Sequence, residues 1–397
     1  MLTRIDLRHF KCFESLKLPL GPLTLLSGPN ASGKSSVLQA LVVLHQTMRE
    51  HEWSRRLILN GNSVQLGTVG DVIDHVHGRR SCEIALVDDG SGSFHWEFEG
   101  ERSEMSMELR AFYGGSISRA PWAKSTPHSV NESEPFRYLL PRDLSMPSGG
   151  NFSLTNCLLG LTYLTAERLG PREHYIHDDP QLTPVVGPRG EYAVSILHSG
   201  RDTHVLDSLA IQDAPSTLFR QVEVRMARFF PDCVLAIDQV PHTNAVTLGI
   251  RMSSDTDFHR PIHTGFGLTQ VLPIVVAALS AKNNGLLLIE NPEVHMHPAG
   301  QAMMGEFLAQ VASSGVQVIL ETHSDHVLNG IRRAVKNRTL PNGNVALHFF
   351  LPRQEKREDG WSQVQSPILD ADGNIDSWPA GFFDQFDKDM NYFAGWS

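Results

Sequence analysis

Residues Gly28 to Ser35 read Gly-Pro-Asn-Ala-Ser-Gly-Lys-Ser, a complete G-x-x-x-x-G-K-[ST] spacing close to the N-terminus. No other stretch constrains the fold as tightly, because such a loop works only between a buried strand and the first turn of a helix. Gly28 and Gly33 permit backbone conformations that a side chain would block, so successive N–H groups can turn inward on phosphate oxygens. Lys34 is spaced to reach the β- and γ-phosphates, and the Ser35 hydroxyl to ligate Mg²⁺. Asn30, Ala31, Ser32 and Ser36 complete the loop and the first helical turn. The flanks agree: Leu23-Thr24-Leu25-Leu26 predicts a strand, and Val37, Leu38, Leu41, Val42 and Leu44 recur at helical spacing. The ligand implied is a nucleoside triphosphate.

With 397 residues, the chain can form one large α/β domain or two smaller ones. A net charge of −10 argues against a protein that coats nucleic acid by bulk electrostatics. A local basic groove around Arg49, Arg55, Arg56, Arg79 and Arg80 stays open. Cys12, Cys82, Cys157 and Cys233 are scattered without a C-x-x-C pair, which suggests neither a zinc site nor a disulfide framework. Arg4, Asp6, Arg8 and Lys11 make the start too polar for a secretory signal, and no apolar run reaches the length of a membrane span. The expected compartment is the reducing cytoplasm.

Alternation over Leu2–Leu7 and Leu16–Leu20 predicts two strands leading into the loop. Residues 81–112 predict an antiparallel β subdomain of three strands separated by Asp/Gly/Glu turns, and residues 114–151 a long Gly/Pro/Ser-rich surface loop. Leu159–Thr165 reads as a strand; Arg168 and Arg172 after it read either as ligands of an anion or as salt-bridged surface arginines. An amphipathic helix over 214–230 and paired strands at 234–240 and 245–252 follow. Strand–helix–strand order returns through 264–337. Leu286–Ile289 then ends in Glu290, the pattern of a buried parallel strand that delivers a carboxylate to its C-terminal edge, able to hold Mg²⁺ opposite Ser35. Upstream, Gly265 and Gly267, with Gln270 behind them, head an apolar helix and form a second anion-binding cap. One phosphate group has little use for two caps; two chains packed head to tail do.

These stretches, with Phe10-Lys11-Cys12-Phe13, the Glu290–Pro298 tail and Glu321-Thr322-His323-Ser324, resemble the ATP-binding-cassette class of ATPases. The resemblance is to the branch with structural-maintenance-of-chromosomes (SMC) heads, RecF-type ATPases and the overcoming-lysogenization-defect (OLD) family. It implies an α/β P-loop fold with an antiparallel β subdomain, a helical and loop insertion over about 113–263, ATP and Mg²⁺ as cofactors, and a homodimer or higher oligomer. By resemblance Gly265 and Gly267 act as the signature loop, His295–Pro298 as a dimer-contacting loop, and His323 as a switch histidine at the γ-phosphate. Residues 1–337 would be the ATPase and 338–397 a small C-terminal module packed on it. That remainder is shorter than an ordinary second enzyme domain, whereas OLD proteins proper carry a nuclease.

Asn291 stands where cassette ATPases usually carry a catalytic glutamate. An amide can orient water but cannot take its proton, so either Glu293 is the base or hydrolysis is slow. The favoured reading is a slow ATP-driven switch that controls a separately encoded effector, such as a nuclease or toxin, in defence against phage. The alternative is a DNA-binding repair ATPase; a transport subunit would need membrane partners and a Ser-Gly-Gly signature. His295 and His297 lack H-E-x-x-H spacing for a metal, and Asp370–Asp376 reads as a hairpin turn because its glycine is misplaced for a calcium loop. The aromatics Phe382, Phe383, Phe386, Tyr392, Phe393 and Trp396 read either as a partner-binding surface or, the favoured reading, as packing on the parent domain.

Overall fold

A computed structural model of the chain describes residues 1–74, 79–90, 92–116, 128–129, 136–142, 154–177, 185–352 and 362–395. Most of the 114–151 loop, and Trp396, lie outside them. The chain divides into two compact units: 1–21, 29–161 and 350–364 form one; 22–28, 162–349 and 365–397 form the other. The phosphate loop thus begins at the end of a strand of the second unit and continues into the first.

In the first unit, an antiparallel sheet follows the order Phe13–Pro19, Leu2–Phe10, Ser81–Asp88, Gly92–Glu99, Ser106–Ser116, Arg56–Ile58. Register aligns apolar side chains: Ile5 lies between Leu18 and Leu86, and Leu7 between Leu16 and Ile84, all buried. Each such side chain withdrawn from water contributes about 1.5–3 kcal/mol. Trp96 is fully buried and its indole N–H donates to the Leu139 carbonyl at 2.8 Å, so the ring carries no unmet polar group. The helix Lys34–Glu50 buries Val37, Leu38, Leu41, Val42 and Leu44, the apolar face predicted from spacing, and Met48 with them.

Of the arginines read as a possible basic groove, Arg56 pairs with Glu104 and Arg80 with Glu101, while Arg49 donates to the Leu159 carbonyl. All four cysteines are free thiols.

The second unit is built on a parallel sheet in which five strands stand in the order Thr162–Leu164, Leu286–Glu290, Gln317–Glu321, Leu23–Ser27, Val345–Phe350. All but the first and last are apolar runs without alternation, as expected of strands covered on both faces. The strand read over 159–165 is shorter, because Leu154–Leu159 is helical and extended structure starts at Thr162. The helices Ala193–Ser199, Leu218–Phe229, Phe266–Ser280, Pro298–Ser313, Asp325–Lys336 and Gln385–Ala394 and a three-stranded antiparallel sheet of Tyr175–Ile176, Ala245–Arg251 and Val234–Gln239 also belong to this unit.

The segment read as a C-terminal module starts before Val345–Phe350, which pairs in parallel with Leu23–Ser27. Phe382 is fully buried with its ring 5.4 Å from Phe349 and 5.5 Å from Trp378. Tyr392 and Phe393, by contrast, are exposed. Asp370 Oδ1 accepts from the Asp372 and Asn374 amides, and Leu369 bridges Ile375, closing a tight turn there. Among the described residues no helix is long and apolar enough to cross a membrane.

Candidate functional site

The phosphate loop is shaped by backbone that only certain residues adopt. Gly28 and Gly33 have φ of +140° and +106°, and Ala31 has φ of +61°. A Cβ on Gly33 would sit 2.6 Å from both Cys12 Sγ and Phe13 Cζ, so glycine is required by space as well as by conformation. Gly33 also caps the helix that opens at Lys34, which leaves its first amides facing the loop. Lys34 is buried, and its ammonium donates to the Pro29 carbonyl at 2.9 Å, across its own loop. Ser32 Oγ is buried with no hydrogen-bond partner among the described residues, a polar atom that a phosphate oxygen would satisfy. Gln363 Nε2 braces the loop from outside by donating to the Ser32 carbonyl at 3.2 Å.

At the C-terminal edge of the parallel sheet, register sets Glu290 opposite Glu321, and Glu321 opposite Leu26. The Glu290 carboxylate has two donors: Tyr163 Oη at 2.7 Å and the Ala166 amide at 3.2 Å. Burial pushes the Glu290 carboxyl above the usual range and the Glu321 charge adds to this, while the two donors and Arg168 oppose it. Burial likewise pushes the Tyr163 phenol up, which keeps it a donor.

Arg168 lies under this edge and is only 4% exposed. Its Nη2 donates to the carbonyls of Glu290 and Asn291, each at 2.7 Å. Burial lowers its pKa to about 10, still charged at neutral pH. Arg168 is therefore not the surface arginine that one sequence reading allowed; it holds the backbone on which Glu290 and Asn291 sit.

Asn291 has φ of +43°, a left-handed conformation that asparagine tolerates better than glutamate does. Its amide donates to the Glu321 carbonyl at 2.8 Å, and its side-chain oxygen is buried with no hydrogen-bond partner among the described residues. Glu293, the alternative base, uses both oxygens locally: Oε2 accepts from Thr322 Oγ1 at 2.8 Å and Oε1 from the His323 amide at 2.9 Å. It thereby ties the loop after Glu290 to the segment carrying His323, whose side chain is exposed. Ser324 caps the following helix by accepting from the Val327 amide at 3.1 Å, and its hydroxyl donates to Gln301.

The signature segment adjoins this loop. Gly265 caps the helix Phe266–Ser280 with nothing within 4 Å of where a Cβ would sit, whereas a Cβ on Gly267 would meet the His295 carbonyl oxygen at 2.8 Å. The Phe266 ring stands edge-on to His295 at 4.9 Å, and Gly170 leaves room for its other side. Gln270 is buried in the next turn. His297 serves its own helix, Nδ1 accepting from the Ala299 amide at 3.3 Å.

Within the second unit, then, Glu290, Asn291, Glu293 and His323 converge on one sheet edge, and Gly267 meets the His295 loop that follows them. Tyr163, the Ala166 amide and the carbonyl clamp by Arg168 were not legible in the sequence as parts of this edge. A tyrosine inside a short strand and an arginine shortly after it were the only signal. As an oxygen donor, the Glu290 carboxylate suits the preference of Mg²⁺, and in the phosphate loop the unmet, buried Ser32 Oγ suits a phosphate oxygen.

Comparison with known proteins bears on the family and the fold. A family model described as an AAA ATPase domain matches residues 1–90 and 231–328, and one described as a protein of unknown function (DUF3696) matches 340–392. The Old nuclease of Escherichia phage P2 is 22% identical over 371 residues, 87% of this chain and 60% of that protein. The DNA replication and repair protein RecF of Roseiflexus castenholzii is 34% identical over 88 residues, 22% of this chain and 21% of that protein. The chain thus spans less than two thirds of the length of these relatives. In fold it resembles the Smc head domain, with an extended coiled coil, bound to the C-terminal domain of ScpA derived from Pyrococcus furiosus. That likeness has a TM-score of 0.52 at 11% identity and covers 92% of this chain and 96% of that one.

Proposed function

We propose that this chain, an OLD/SMC/RecF-like ABC-type ATPase, binds ATP with Mg²⁺, hydrolyses it slowly, and closes head to tail on a second copy to switch a separately encoded effector. The observation that carries this reading is the fixed carboxylate. Glu290 ends a parallel strand, receives Tyr163 Oη and the Ala166 amide, and rests on backbone held by Arg168.

In this reading the loop amides and Lys34 hold the β- and γ-phosphates, and Lys34 leaves the Pro29 carbonyl to do so. Ser35 and Glu290 hold Mg²⁺, which when bound neutralises charge on the phosphate oxygens. His323 reaches the γ-phosphate, and Gly265, Gly267 and Gln270 of the second copy close over it. Asn291 orients the attacking water without accepting its proton. Both Glu293 oxygens already serve Thr322 and His323, which supports slow turnover and a long-lived ATP-bound state. Such a state suits a switch. The partner is proposed to be a nuclease or toxin and the setting defence against phage, on the likeness to the phage P2 Old protein. The pairing of Arg56 and Arg80 with acids, and the −10 net charge, weigh against the DNA-binding alternative.

The test is equilibrium titration with a fluorescent ATP analogue alongside molar mass by light scattering. Lys34→Ala is expected to abolish binding, and Glu290→Gln to bind ATP and accumulate as a dimer. Full affinity in Lys34→Ala would refute the site; a monomeric Glu290→Gln with saturating ATP would refute the switch.

A further inference from the structure

The cleft beside the Gly265 cap carries more positive charge than the nucleotide motifs account for. It measures about 490 Å³ and lies wholly within the second unit, lined among others by Arg168, Arg172, Arg189, Phe266, Gln270 and His295. Arg168 spends Nη2 on two carbonyls, but its Nε and Nη1 are buried with no hydrogen-bond partner among the described residues. Leaving guanidinium donors dry and unmet is costly, and an anion in the cleft would relieve that cost. Arg172 is exposed and forms no ion pair among the described residues. Arg189 pairs at 3.2 Å with Glu167, the acidic lining residue, but both side chains are open to solvent and the pair is weak.

We propose that this arginine cleft is an oxyanion site that receives the terminal phosphate of a nucleotide held on the phosphate loop of a second copy. It rests on the head-to-tail reading above and extends it: the Gly265 cap supplies amides, and the cleft supplies full charges where negative charge gathers during transfer. Guanidinium groups suit this role because their paired donors match phosphate oxygens.

The experiment uses the exposed pair, since Arg168 also supports Glu290. Arg172→Ala/Arg189→Ala is expected to bind the fluorescent ATP analogue with wild-type affinity, yet to lose ATP-dependent dimer and at least about tenfold in turnover. The corresponding Lys/Lys variant should recover part of both. Mixing the Ala/Ala chain with Lys34→Ala should restore turnover, because one heterodimer site then combines an intact loop with an intact cleft. Retained dimer and turnover in Ala/Ala, or no recovery on mixing, overturns the proposal. Saturable binding of inorganic phosphate to Lys34→Ala that Arg172→Ala/Arg189→Ala removes, while dimer and turnover stay at wild-type level in the Ala/Ala variant, would mark a site for free phosphate and likewise overturn the proposal. A wild-type chain that binds no nucleotide would overturn the proposed function and this inference together; normal binding with unaffected arginine variants overturns this inference alone.

Discussion

Tyr163 Oη donates a 2.7 Å hydrogen bond to Glu290 Oε1 between residues 127 positions apart in sequence. The two strands are parallel neighbours with Tyr163 opposite Leu288, so the phenol runs along the sheet edge to the carboxylate. Tyr163→Phe keeps the ring and removes the donor. Loss of a hydrogen bond to a charged group is worth about 1.5–3 kcal/mol, so Mg²⁺-dependent turnover is expected to fall about tenfold or more with ATP affinity unchanged. Steady-state kinetics beside nucleotide titration checks this; an unaltered kcat would remove Tyr163 from any positioning role.

Gly265 and Gly267 should separate stability from function. A methyl at Gly267 meets the His295 carbonyl at 2.8 Å, so Gly267→Ala is expected to lose about 1–3 kcal/mol of stability. Gly265 has φ of −62° and nothing within 4 Å of an added Cβ, so Gly265→Ala should stay within about 0.5 kcal/mol of wild type. If the cap meets a partner's phosphate, Gly265→Ala still loses ATP-dependent dimer. Thermal melts and light scattering distinguish the two, and equal destabilisation would contradict the packing described.

Asn291→Glu places a carboxylate where the proposed function lacks a base, in a backbone conformation, φ +43°, that disfavours it. The expected result is a faster ATPase on a protein less stable by about 1 kcal/mol. Phosphate release and urea denaturation measure the two effects. A rate that stays at the wild-type value would transfer the role of base to Glu293, whose replacement by Gln should then stop turnover.

His45 sets a pH limit on stability. Its imidazole is buried, Nδ1 donates to the Leu158 carbonyl, and burial lowers its pKa to about 4. The folded protein therefore refuses a proton that the unfolded chain accepts near its ordinary value of 6.5. Below that value the unfolded state binds more protons, so stability is full above pH 6.5 and falls as pH drops toward 4, by an amount on the order of 3 kcal/mol. Urea midpoints of wild type and His45→Gln at several pH values test this, and an equal acid slope in the variant would exclude His45 as its source.

Parts of this protein are legible because their chemistry is consecutive. The loop Gly28–Ser35 needs adjacent amides and glycines, and Leu286–Glu290 needs one apolar run ended by one acid, so spacing alone reveals both. Asn291 is legible in the same way, as a departure at a defined position. Other features are matters of strand order. Val345–Phe350 joins the central sheet beside Leu23–Ser27, although some 320 residues of intervening chain carry no mark of that pairing.

The sequence by itself determined the α/β phosphate-loop architecture and singled out the residues proposed to hold nucleotide and metal, since local spacing dictates where amides, hydroxyls and carboxylates can converge. Only the tertiary structure decided that Tyr163 and the Ala166 amide hold Glu290, that Arg168 is buried under it with donors to spare, and that Glu293 binds the His323 segment. Those contacts depend on which strands become neighbours. That choice follows from burial summed over the whole sheet and from crossover connections, quantities that no short motif encodes.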